Sequence, residues 1–165
     1  MSTVETKKQA AIERIANHLL TEGLNKTGLR LLAQVADTSD RMLIYYFGSK
    51  DALLDEVLGT IAAQVTGQLD ALLGTHQRTA AELLAQLTAV TSNEAFAPAV
   101  QLWFELVGLA ARRQEPYLSN ARVLAGNWIT WIAARLEDPT EQAPEDLYAH
   151  LEGRLMLKML EGSSG

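Results

Sequence analysis

The chain has 165 residues, 48% of them apolar, a formal charge of −6 and no cysteine. That length suffices for one or two small domains with a buried core and no staples. The absence of cysteine excludes disulfides and thiolate zinc sites, and no segment approaches the ~20 apolar residues of a membrane span. His18, His76 and His150 are far apart and form no short metal-ligand motif, so no metal and no cofactor is expected. Residues 1–20 do not resemble a secretory signal, so a cytoplasmic location without membrane attachment is the expectation.

The apolar spacing predicts an all-α protein; Val, Ile and Thr nowhere alternate with period two. A first helix is expected over 5–22, with Ile12, Ile15, Ala16 and Leu19 on one face and Gly23 as its left-handed cap. Short helices follow over 29–36 and 40–46, the second capped by Ser39. Gly48 stops it, and Ser49 caps a long fourth helix carrying Leu53, Leu54, Val57, Leu58, Ile61, Val65, Leu69 and Leu72. Further helices are expected over 79–91, 95–113, 117–136 and 145–160. Pro98 fits a first helical turn, while Pro116, Pro139 and Pro144 are assigned to connections. Gly162 to Gly165 reads as a flexible tail.

The stretch from Leu29 to Leu54 fits a helix-turn-helix, in which one helix braces and the next enters the major groove of DNA. Ala33 provides the small side chain where two helices approach. Leu32, Ala36, Leu43 and Phe47 supply apolar contacts. Asp37 falls at a turn position that often needs positive φ. At about 100° per residue, Leu43 and Phe47 point inward and Arg41 and Tyr45 outward. Arg41 suits a guanine edge. Tyr45 and Tyr46 suit phosphates, and Arg30 the flanking backbone. Lys50 combines a cation with a helix N-terminus, a phosphate clamp. Asp40 can favour the helix dipole in a capping role, accept from a cytosine amino group, or pair with Arg41; the capping role is preferred. Ser39 and Asp40 complete the expected DNA-contacting set. Charge is distributed accordingly. Residues 1–50 hold seven basic and five acidic side chains, the rest seven and fifteen.

Ala33 and the run from Leu43 through Gly48-Ser49-Lys50 to Leu54 resemble the TetR family of bacterial transcriptional regulators. The aromatic end of the second short helix and the Ser-Lys start of the fourth carry the resemblance, which is specific over residues 10–58. The chain departs from the family pattern at Asp37, where glycine is usual, and at Ile44, where a DNA-contacting Tyr is common. The resemblance implies a three-helix DNA-binding domain over 1–50. A long helix would join it to a helical effector-binding and dimerisation domain over 51–161, with a tail over 162–165. It implies a homodimer that binds a palindromic operator in double-stranded DNA and answers to a small-molecule effector, most simply as a repressor. No catalytic constellation is present. The competing reading is a helical ligand-binding or dimerisation module with degenerate DNA contacts.

In the C-terminal part, Trp103, Phe104, Val107 and Trp128 are candidates to line an effector pocket, or to be ordinary core. Gln101, Glu105, Gly108 and Arg112 form a polar stripe, facing either solvent or a wet cavity. The last two helices are apolar on more than one side. The surplus suggests a two-fold four-helix bundle using Leu124, Trp131, Ile132, Leu151, Leu155 and Met159.

Overall fold

The computed structural model describes residues 3–161. The chain is helical: α1 (Thr3–Glu22), α2 (Leu29–Val35), α3 (Asp40–Phe47), α4 (Lys50–Leu73), α5 (Ala80–Thr91), α6 (Ala97–Ala111), α7 (Tyr117–Ala133) and α8 (Pro144–Glu161). A 3-10 turn at Glu94–Phe96 precedes α6. Among the described residues there is no strand, only a single bridge between Arg78 and Leu136. None of the described helices is long and apolar enough to cross a membrane. The expected tail at 162–165 lies outside the described residues.

Two compact units form: Met1–Gln64 with Gln101–Ala121, and Val65–Val100 with Arg122–Gly165. In the first, Ile12, Ile15, Ala16 and Leu19 on α1 meet Leu32 and Ala33 on α2 in the buried core. Leu43 and Phe47 on α3 and Leu53, Leu54, Val57 and Leu58 on α4 are buried as well. Each leucine so buried contributes roughly 1.5–3 kcal/mol relative to exposure. The boundaries follow local chemistry. Gly23 ends α1 at φ 74°, and Gly48 ends α3 at φ 81°, a region that costs a β-carbon residue energy.

In the second unit α5 packs on α8, burying Leu83, Leu84 and Leu87 with Leu147, Leu151 and Leu155. Thr79 and Glu82 close a reciprocal capping box at the start of α5. Two buried arginines brace helix ends. Arg78 donates to the Leu73 carbonyl at 2.8 Å, and Arg135 to the Trp131 carbonyl at 3.0 Å. Arg135 also pairs with Asp70, which accepts from Trp131 Nε1 at 3.1 Å, and its guanidinium stacks 3.8 Å above the Trp131 ring.

Three sequence boundaries are corrected. Pro144 is the first residue of α8 and not a connection, because a first-turn N–H needs no intrahelical partner. The helix expected to 136 ends at Ala133, and the backbone of Arg135 and Glu137 turns to pair with Arg78. The helix expected over 95–113 is a 3-10 turn followed by α6, which ends at Ala111; Arg113 takes φ 60°.

Candidate nucleic-acid interface

The second short helix stands on a buried side and presents an open one. Leu43 is fully buried and Phe47 nearly so, while Arg41 is exposed and Tyr45 is 68% exposed. Met42 is half-buried and Ile44 is 39% exposed. The wheel derived from sequence therefore places both faces as the structure has them. The Tyr46 ring bridges its neighbours edge-on, 5.8 Å from Tyr45 and 6.3 Å from Phe47. That makes Tyr46 half-buried support for Tyr45.

The turn beneath this helix is chemically specified. Asp37 adopts φ 55°, as its position in the turn requires. The Ser39 hydroxyl accepts from Met42 N at 3.3 Å and caps α3. Asp40 follows the cap as the exposed first residue of the helix. Ser39 is thus the side-chain cap, as expected, and the Asp40 carboxylate stands in the first turn, where it favours the helix dipole. Ser49 caps α4 by accepting from Ala52 N at 3.0 Å, and Lys50 begins that helix half-buried. Arg30 is exposed in the first turn of α2.

Two cations missed in the sequence hold the arrangement from α1. Lys8 Nζ lies 2.8 Å from Glu56 Oε1 and 5.0 Å from the centre of the Phe47 ring. Arg14 donates to the Ala36 carbonyl at 3.0 Å. Neither contact has a periodic signature. Lys8 meets a carboxylate 48 residues away and an aromatic face, and Arg14 meets a backbone oxygen.

Residues 12–57 match the family described as bacterial regulatory proteins, tetR family. This segment, 46 of the 165 residues, is what is similar to the TetR family. The match covers α1 from Ile12, all of α2 and α3 and the start of α4, the elements that build the exposed Arg41–Tyr45 face.

Solved structures share the fold over most of the chain. SCO7518, a candidate transcriptional regulator from Streptomyces coelicolor A3(2), is 20% identical, with TM-score 0.72 over 92% of this chain and 86% of that one. GusR of Salmonella enterica is 16% identical, with TM-score 0.65 over 94% and 84%. The multidrug binding protein EbrR, solved in complex with imidazole, is 22% identical, with TM-score 0.65 over 97% and 82%. No curated protein sequence matches the chain.

The residues expected at an effector site and a dimer interface are distributed as follows. Trp103 and Phe104 are half-buried and Val107 is at the surface, all on α6 in the first unit. Trp128 lies in the second unit, with its ring 5.7 Å from that of Trp131. Leu124, Ile132, Leu151 and Leu155 are buried inside the chain itself and leave little surface for a second copy to cover. Trp131 is half-buried, engaged with Asp70 and Arg135. Met159 is exposed, as are Met156, Leu157, Leu160 and, on α7, Val123. The apolar surplus of the last two helices is therefore real, but it sits on neighbours of most of the residues chosen from sequence.

Proposed function

We propose that the chain is a ligand-responsive repressor that binds a palindromic operator as a homodimer. The observation that supports this best is the exposed Arg41–Tyr45 face, standing on Leu43 and Phe47 and followed by Lys50 at the start of α4. Arg41 reads a base edge, Tyr45 assists, and Lys50 and Arg30 hold phosphates on either side. Residues 1–50 act as the reader and residues 51–161 as the effector-binding and dimerisation part, in the cytoplasm.

The effector is a small molecule. The fold shared with EbrR, a multidrug binding protein solved with imidazole, supports that class. Trp103, Phe104 and Val107, together on α6, are the side chains we assign to its recognition. For the dimer we assign the exposed apolar residues Met156, Leu157, Met159 and Leu160 at the end of α8, with Val123 on α7. An effector that binds one conformation better than the other releases DNA by shifting α4 and the spacing of the two readers.

Selection of binding sites from random duplexes tests the proposal. A palindromic consensus, bound with an affinity that falls steeply with salt, is the expected result. A module with degenerate DNA contacts would select nothing and show no counterion release, and that outcome would overturn the reading.

A further inference from the structure

Glu105 was one member of a polar stripe on α6. Its companions Gln101, Gly108 and Arg112 are exposed, but Glu105 is half-buried and its Oε2 accepts from the Leu24 backbone N–H at 2.7 Å. The two residues are 81 apart in sequence and lie in the same compact unit. Leu24 directly follows the glycine that ends α1, and a Cβ on Gly23 would sit 2.5 Å from both Glu105 oxygens. Glycine is thus required twice here, for φ 74° and for the approach of the carboxylate.

Two more polar contacts tie the same region. Tyr117 Oη lies 3.3 Å from Thr27 Oγ1, and Asn120 Nδ2 donates to Asp55 Oδ1 on α4 at 2.6 Å. The loop between α1 and α2 is therefore gripped at Leu24 and at Thr27. That loop delivers α2, whose N-cap Gly28 offers no side-chain cap. The position of α2 depends on the loop, and α3 packs on α2.

We propose that Glu105 is a positioning residue for the DNA reader. Its clasp on the Leu24 amide fixes the α1–α2 loop against α6, and with it α2 and the recognition helix. The bond is charge-assisted and short, so it is strong and steep in distance. A shift of α6 by about an ångström breaks it. Trp103, Phe104 and Val107 stand on the same helix within one turn of Glu105. The clasp is where a movement of α6 is felt by the reader. This rests on the DNA-binding reading above.

The test compares the full chain with Glu105→Ala and Glu105→Gln on the duplex that the wild type selects, and on duplexes with one base pair added or removed between half-sites. Glu105→Ala binds the selected duplex roughly tenfold more weakly and discriminates less among spacings, because its readers are less well oriented. Glu105→Gln keeps an acceptor at the same reach and retains the wild-type spacing profile. Hydrogen exchange at the Leu24 amide accelerates in Glu105→Ala while Ile15 and Leu19 stay protected. A Glu105→Ala protein with the wild-type spacing profile overturns the inference. If α1 loses protection throughout in that variant, Glu105→Asp decides. It keeps the charge but falls short of Leu24, so it must flatten the profile, and an unchanged profile overturns the clasp. A wild-type protein that selects no duplex overturns the DNA-binding reading itself. Selection by the wild type with an unaltered Glu105→Ala profile overturns only the clasp.

Discussion

Arg14 on α1 donates a 3.0 Å hydrogen bond to the carbonyl of Ala36, the residue that ends α2. The same guanidinium nitrogen lies 3.5 Å from an Asp37 carboxylate oxygen. The first helix thereby fastens the turn from which α3 extends. Carbonyls at a helix C-terminus lack intrahelical donors and carry the negative end of the dipole, so an arginine suits this place.

Arg14→Ala is expected to lower stability by about 1 kcal/mol, through the Ala36 bond. The Asp37 pair is exposed on both sides and adds little, so Asp37→Asn, which tolerates positive φ, is close to neutral. Asp37→Ala loses about 1 kcal/mol to backbone strain at φ 55°, and Asp37→Gly regains it. Urea unfolding of the four variants checks the order. Equal losses in Arg14→Ala and Asp37→Asn would make the ion pair dominant and refute this account.

The reader was legible in the sequence because its boundaries and faces are set within a few residues. Ser39, Gly48, Ser49 and Asp37 each act on their own turn, and the separation of Leu43 and Phe47 from Arg41 and Tyr45 follows from helical period alone. Contacts with distant partners were not legible. Glu105 shared the spacing of an exposed stripe, and its partner is a backbone amide, which every residue carries. Leu124, Ile132, Leu151 and Leu155 showed a genuine excess of apolar side chains, but the excess does not say whether the chain or a second copy covers it.

On the recognition face, Arg41→Ala should relax base preference at one position per half-site, by about 1–3 kcal/mol of discrimination. Lys50→Ala should weaken binding to all sequences alike and reduce the salt slope by about 1. Asp40→Ala should leave base preference intact and cost about 0.3–1 kcal/mol of stability, since Ser39 holds the cap. Affinity titrations on selected and mismatched duplexes at several salt concentrations separate the three. Identical effects of Arg41→Ala and Lys50→Ala would show that the wrong face was assigned.

In the second unit, the buried Arg135 is neutralised by Asp70, itself 36% exposed on its side chain. Removing the carboxylate leaves an ion without its counter-charge, whereas removing the arginine leaves a carboxylate that water reaches. Asp70→Ala should therefore cost about 3 kcal/mol and Arg135→Met distinctly less. Thermal unfolding ranks them, and the reverse order would mean that the stacking of Arg135 on Trp131 outweighs the charge.

Tyr148 on α8 predicts the alkaline behaviour of the same unit. Burial pushes its phenol well above the ordinary value of 10.0, and the neighbouring Glu152 carboxylate raises it further. The folded state holds the neutral phenol, so the unfolded chain loses its proton first. Stability is undiminished below pH 10 and falls as pH rises beyond it, by at most about 1.4 kcal/mol per pH unit from this group. Other groups also titrate there, so the decisive quantity is the difference between wild type and Tyr148→Phe. Urea midpoints at pH 9, 10 and 11 should diverge, with the phenylalanine variant losing less. Parallel decline of the two proteins would show that another titrating group governs the alkaline limit.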